Sequence, residues 1–128
     1  MSKKLRNGRY IEETGNIRWF KDDVLHREDG PAVEYLDGAK FWCVNGKEHR
    51  EDGPAIEFAS GTKYWYKDGK YHRKDGPAVE DGGYRAWYLD GQRHRIDGPA
   101  IEWKDGTKSW YLNGQRHRED GPAIEWDD

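Results

Sequence analysis

A seven-residue phrase, His-Arg-x-Asp-Gly-Pro-Ala, begins at His26, His49, His72, His94 and His117, at intervals of 23, 23, 22 and 23 residues. All five His and all five Pro of the chain belong to it. A second column, Trp19, Trp42, Trp65, Trp87 and Trp110, keeps the same intervals. Self-similarity at a fixed period is the signature of stacked units, each too small to bury its apolar face alone. The 128 residues therefore read as a single repeat domain, 1–128. It comprises an N-terminal partial unit 1–10, units at about 11–32, 33–55, 56–78, 79–100 and 101–123, and a C-terminal partial unit 124–128.

Leu, Ile, Val and Phe together number only 18 of the 128 residues, below the ~20 % at which composition alone suggests disorder. Disorder also requires a large net charge, and here the net charge is −3, with seven Trp and eight Tyr in place of the missing aliphatics. An aromatic core is the expectation. The balanced charge and a pI near 6.0 argue against a chain that coats nucleic acid, which usually carries a basic excess. No apolar run approaches a membrane span and the first residues hold no apolar signal-peptide core, so the expected setting is the cytoplasm. The single cysteine, Cys43, forms no internal disulfide. It falls in a column otherwise filled by Phe20, Tyr66, Tyr88 and Tyr111, which marks it as a packing substitution.

Within a unit the punctuation is that of β-hairpins. Asp37-Gly38, Ser60-Gly61 and Asp105-Gly106 separate alternating runs such as Val33-Glu34-Tyr35 and Lys40-Phe41-Trp42, and Asp-Gly is a strong hairpin signal. Read as a two-residue turn, Asp37-Gly38 pairs Tyr35 with Lys40 and Val33 with Trp42. That register places three columns on one buried face: Val33, Ile56, Val79, Ile101 and Ile124; Tyr35, Phe58, Trp103 and Trp126; and the five Trp of the second column. Asp81-Gly82-Gly83, in the 22-residue unit, suggests a longer, three-residue loop. A second turn follows each Trp strand at Asn45-Gly46, Asp68-Gly69, Asp90-Gly91 and Asn113-Gly114, where positive φ is expected, and segments such as Lys47-Glu48 read as a short third strand. Nothing has helical periodicity. The predicted fold is all-β: a single elongated antiparallel sheet of about five 23-residue hairpin repeats.

Segments such as Trp65-Tyr66-Lys67-Asp68-Gly69-Lys70-Tyr71-His72 resemble the MORN repeat, and the likeness extends over residues 6 to 128. The chain is similar in particular to MORN-variant proteins with His-Arg-x-Asp-Gly-Pro-Ala units, found in bacteria and commonly in tailed phages. It departs from the usual pattern in two places: Arg50-Glu51-Asp52-Gly53 stands where that pattern has Gly-x-Gly, and the Trp lies one position earlier. The resemblance implies a hairpin ladder used for protein association, sometimes for lipid contact, and no catalytic residue.

The repeated His-Arg-x-Asp phrase carries groups that serve as metal ligands or general bases elsewhere. Catalysis needs one constellation with distinct roles, whereas an identical triplet in every unit is what a turn needs. In that reading Asp caps backbone N–H groups, Gly takes positive φ, Pro fixes the next residue, and each His bonds to Asp or to the Glu column Glu34, Glu57, Glu80, Glu102 and Glu125. The arginines Arg27, Arg50, Arg73, Arg95 and Arg118 are expected to pair with those carboxylates. No catalytic residue, metal site or cofactor is expected. Specific binding should lie where units differ, which points to Phe41, Tyr64, Tyr71, Arg18, Leu25, Glu48 and Arg93 as partner-contacting residues, the aromatics acting as exposed anchors. The partner would be a protein, with inhibition of a host defence or toxin protein as one such role. An alternative is a nucleotide or nucleic-acid site on the basic column Lys40, Lys63, Arg85 and Lys108, interleaved with aromatics. A further alternative is a structural homo-oligomer joined through strand edges, with a homodimer at the C-terminal strand, whose edge is either open or protected by Asp127 and Asp128.

Overall fold

The computed structural model describes residues 4–126, and they contain no helix. Asp127 and Asp128, expected as edge-protecting charges, lie outside the described residues. The first strands are β1 (Gly8–Ile11), β2 (Ile17–Lys21) and β3 (Val24–Leu25). The next unit gives β4 (Val33–Glu34), β5 (Lys40–Phe41), β6 (Cys43–Val44) and β7 (Lys47–Glu48), and the one after it β8 (Ile56–Glu57), β9 (Lys63–Tyr64), β10 (Tyr66–Lys67) and β11 (Lys70–Tyr71). Then come β12 (Val79–Asp81), β13 (Tyr84–Ala86), β14 (Tyr88–Leu89) and β15 (Gln92–Arg93). The last are β16 (Ile101–Glu102), β17 (Lys108–Ser109), β18 (Tyr111–Leu112), β19 (Gln115–Arg116) and β20 (Ile124–Glu125).

Twelve of these strands form one antiparallel sheet in the order β1-β2-β4-β5-β8-β9-β12-β13-β16-β17-β20, with β3 paired to β2. The expected hairpin ladder is therefore present. The strands following Trp42, Trp65, Trp87 and Trp110 leave this sheet and close on themselves as the small hairpins β6–β7, β10–β11, β14–β15 and β18–β19. Their turns have the anticipated left-handed residues, for example Asn45 at φ 51° and Gly46 at φ 79°, the two-residue type I′ geometry that Asn-Gly and Asp-Gly favour. The short third strand, Lys47–Glu48, is one arm of such a hairpin.

The register of the main hairpins differs from the expected one by a residue. Val33 lies opposite Phe41 and Glu34 opposite Lys40. The loop has three residues, not two: Tyr35 N–H donates to Ala39 O at 2.9 Å, Gly38 N–H to Tyr35 O at 3.0 Å, and Gly38 takes φ 98°. Asp37 Oδ1 accepts the Ala39 N–H at 2.9 Å, so the Asp stabilises the turn before the bulged Gly. The same closure recurs at Phe58–Thr62 and Trp103–Thr107. The irregular unit reverses the expectation. Asp81 pairs with Tyr84 around a two-residue Gly82-Gly83 turn with φ 55° and 98°, which accounts for the interval of 22.

One residue of register exchanges the faces of a strand. The Val/Ile column is buried at Val33, Ile56, Val79 and Ile101, the last only 1 % exposed, and half-buried at Ile124, but the five Trp are not on its face. Their place opposite that column is taken by Arg18, Phe41, Tyr64, Ala86 and Ser109. Phe58, Trp103 and Trp126, expected in the core, are exposed.

Each Trp instead lies under the arginine of its own unit. The guanidinium carbon of Arg27, Arg50, Arg73, Arg95 and Arg118 sits 4.2, 3.9, 3.9, 3.9 and 3.7 Å from the ring centroid of Trp19, Trp42, Trp65, Trp87 and Trp110. Cation–π stacking of this kind stabilises each pair by on the order of 1 kcal/mol. The stacked guanidinium also bonds to Asp and, in the later units, reaches Glu. Arg50 Nε donates to Asp52 at 3.2 Å, and its Nη1 donates to Pro54 O at 3.1 Å and to Glu57 at 3.3 Å. The Asp of the phrase thus holds the arginine, not backbone N–H groups.

The Gly of the phrase is required for a different reason from the expected one. Gly30, Gly53, Gly76, Gly98 and Gly121 do not have positive φ. A Cβ on Gly53 would lie 2.9 Å from Arg50 Cζ, and the other four would meet their arginines at 2.7 to 2.9 Å. Glycine makes room for the stacked guanidinium.

Candidate functional site

Four recurring bonds close each unit and fasten it to the next. Trp42 N–H donates to Ala55 O at 2.7 Å, and the same bond closes the units of Trp19, Trp65, Trp87 and Trp110. Gly46 N–H donates to Leu25 O at 2.8 Å, and Arg27 N–H to Cys43 O at 3.0 Å. The fourth uses the histidines. Nδ1 of His26, His49, His72 and His94 accepts the backbone N–H of Asn45, Asp68, Asp90 and Asn113, at 2.9 to 3.1 Å. The expected partners are Asp or the Glu column; the imidazoles accept backbone N–H groups, and the Asp68 and Asp90 carboxylates lie 3.3 Å from Nδ1 of His49 and His72. An imidazole accepting through Nδ1 carries its proton on Nε2, which lies 3.5 Å from Glu28 in His26 and 3.7 Å from Glu51 in His49.

At the first turn the same role falls to residues before the array. Asp22 N–H donates to Asn7 Oδ1 and Asp23 N–H to Arg6 O, both at 2.9 Å. Sequence reasoning missed Asn7 because a side-chain amide replaces an imidazole in a segment that lacks the repeat phrase.

The basic column sits on the opposite face from Val33. Lys40 lies between Glu34 and Glu57, Lys63 between Glu57 and Glu80, Arg85 between Glu80 and Glu102, and Lys108 between Glu102 and Glu125. Cations and carboxylates alternate one for one across the sheet, each pair contributing some tenths of a kcal/mol. Among the described residues no group of three or more His, Cys, Asp or Glu is arranged to hold a metal ion, and no helix is long and apolar enough to cross a membrane.

The face that carries the Val/Ile column also carries an unbroken chain of rings. Centroids are 5.5 Å apart for Tyr35–Phe41, 6.0 Å for Phe41–Phe58, 5.9 Å for Phe58–Tyr64 and 6.1 Å for Tyr64–Tyr71. Tyr71 then stacks on Tyr66 at 4.6 Å and meets Tyr88 at 4.9 Å. The chain crosses from the main sheet to the small hairpins at Tyr71. All seven residues singled out for partner contact lie on rows of this face. Phe41, Tyr64 and Tyr71 are members of the chain. Arg18 stands over Tyr35 at 5.8 Å while its Nε bonds Glu12. Arg93 Nε donates to Tyr88 Oη at 3.4 Å. Leu25 and Glu48 occupy the row of Tyr71, opposite Phe20 and Cys43.

Tyr64 and Tyr71 are half-buried and pack against the cluster of Val79, Ala86, Ala100, Ile101 and Tyr111, so they serve the fold as well as any partner. Burial raises the hydroxyl pKa of Tyr64, with Asp81 adding to the shift, and that of Tyr66, where a hydrogen bond with Tyr71 adds. Cys43 fills its column as expected, 3 % exposed, and burial, reinforced by Glu48, pushes its thiol up to about 11. Among the described residues, the solvent-facing rings of this face are Tyr10, 41 % exposed, Phe58 and Trp103, each 38 % exposed, and Trp126, 74 % exposed.

Toward the last units the ring column becomes small, from Phe41 and Tyr64 to Ala86 and Ser109. Tyr84 packs against the cluster beside Ala86. Over Ser109 a cavity of about 320 Å³ remains, lined by Trp103, Trp126, Tyr111, Ile101, Ile124, Thr107 and Asp105, with Arg93 and Arg116. Sequence reasoning placed the binding residues in the large members of this column, whereas the cavity follows from its smallest polar one. The signal was present in the column itself.

No known protein-family model matches the chain, and no curated protein matches it.

Proposed function

We propose that this chain is a non-enzymatic binding module that covers a surface of a protein partner with the aromatic face of its sheet. The observation that carries this reading is the continuous chain of rings from Tyr35 to Tyr88, exposed at Phe58, together with exposed Trp103 and Trp126 on the same face. Aromatic side chains provide large contact area at low entropic cost and dominate interface energetics. The opposite face presents alternating charges that neutralise one another. A phage or bacterial accessory role, with a host defence or toxin protein as the partner inhibited, is the narrower form of the proposal, and the resemblance to MORN-variant units supports it.

The test is capture from a bacterial lysate on immobilised protein, comparing wild type, Phe58→Asp and Lys63→Ala. Proteins retained by wild type and by Lys63→Ala are expected to be lost with Phe58→Asp. Retention unchanged by Phe58→Asp, or no specific retention at all, would overturn the reading.

A further inference from the structure

We infer that the cavity over Ser109 is a specificity pocket for one apolar side chain of the partner lying next to a carboxylate, so that the module recognises an acidic, aromatic-anchored peptide segment. This rests on the protein-binding reading above and names the chemistry of the partner there. The volume of about 320 Å³ is of the size that holds one large side chain with a short stretch of its backbone. Trp103, Trp126 and Tyr111 line it together with Ser109, Arg93 and Arg116.

The arginines give the charge of the ligand. Arginines of the repeat phrase are committed to carboxylates, as Arg95 is to Asp97 at 3.2 Å and to Glu102 at 3.5 Å. Arg93 and Arg116 bond instead to neutral tyrosine hydroxyls. Arg93 donates to Tyr88 Oη at 3.4 Å and to Tyr111 Oη at 3.5 Å, and stands 5.2 Å from the Tyr111 ring. A hydrogen bond from Arg116 holds the Tyr111 hydroxyl below its ordinary pKa. Both guanidiniums are exposed, and no described carboxylate forms an ion pair with either. Asp105, the one acidic residue of the lining, is engaged by the Thr107 N–H at 2.9 Å. Two guanidiniums beside an aromatic cleft therefore favour an anion attached to an apolar group, because a carboxylate takes planar, paired hydrogen bonds from arginine. An extended peptide is favoured over a small planar anion because the ring chain leads away from the pocket through Tyr88 and Tyr71, offering a track for neighbouring residues.

The experiment selects a displayed library of random decapeptides on the folded protein and measures the enriched sequences against wild type, Ser109→Tyr and the pair Arg93→Gln with Arg116→Gln. Ser109 is 1 % exposed and Arg93 bonds Tyr111 of the core cluster, so both variants are first shown by circular dichroism to unfold near the wild-type midpoint. Enriched peptides are expected to place Trp, Tyr, Phe or Leu within two positions of Asp or Glu, and to lose at least tenfold in affinity with either variant. Enrichment without an acidic residue, undiminished binding to both variants, or no enrichment would overturn the pocket's assignment. So would adenosine monophosphate binding there more tightly than the best peptide, which would make it a nucleotide site. Partner capture that depends on Phe58 would stand through any of these failures, and its own loss would leave the peptide result intact.

Discussion

Nδ1 of His72 accepts the backbone N–H of Asp90 at 3.0 Å, so a side chain of one repeat closes the turn of the next. His72→Ala leaves that N–H without its protein partner. The expected loss is about 1 kcal/mol, read as a lower thermal midpoint by circular dichroism. An unchanged midpoint would show that solvent replaces the imidazole at no cost.

Gly53 is glycine because Arg50 lies against it, 2.9 Å from where a Cβ would stand. Gly53→Ala should cost about 1–3 kcal/mol through overpacking and displacement of the guanidinium from Trp42. In an Arg50→Ala background the same change should cost far less. A double-mutant cycle by urea denaturation measures this coupling; additivity within ~0.3 kcal/mol would mean that the arginine is not the reason for the glycine.

Alkaline conditions should weaken the fold through Cys43. Its folded thiol is pushed up to about 11 from 9.0, so the native state favours the protonated form. That contribution is complete below pH 9 and is lost as pH rises from 9 to 11. The buried tyrosines Tyr64 and Tyr66 shift in the same direction and add to the decline above pH 10. Urea midpoints at pH 8 and pH 10.5 should differ for wild type and differ less for Cys43→Ala. Iodoacetamide should modify Cys43 slowly at pH 8.5 until denaturant is added.

Lys63 separates Glu57 from Glu80 across three adjacent strands. Lys63→Glu would put three carboxylates in a row and should destabilise by about 1 kcal/mol, with much of the loss recovered in 1 M salt, where the screening length falls to about 3 Å. Equal destabilisation at low and high salt would indicate a packing effect.

The period, the absence of helix and the columns were legible because each repeat copies its punctuation: identical Trp and Asp-Gly-Pro spacings allow one arrangement of neighbours. Register was not, because the same dipeptide serves two turns. Asp68-Gly69 is a two-residue turn, whereas Asp37-Gly38 supplies the last two residues of a three-residue loop. The 22-residue unit held the discriminating information. The missing residue comes from the loop: the unit's strands pair out to Asp81 and Tyr84, and Gly82-Gly83 is the short turn against which the others are long. Once Phe41 rather than Trp42 faces Val33, the site changes too: Trp42 becomes the bed for Arg50, and Phe41 and Tyr64 join the packed face. The commitments of individual arginines were partly readable. The Asp two residues after Arg95 advertises its partner, whereas nothing local to Arg93 or Arg116 announces a tyrosine hydroxyl brought from a neighbouring strand.

Every repeat is closed by the same short bond from a Trp amide to an Ala carbonyl, 2.7 Å from Trp19 through Trp110. A duplicated stretch of 23 codons would therefore arrive with its own fastening and leave the others undisturbed. Such a chain can be lengthened or shortened by whole units during evolution, matching its reach to the footprint it must cover while the small unlike side chains along it alter what is recognised.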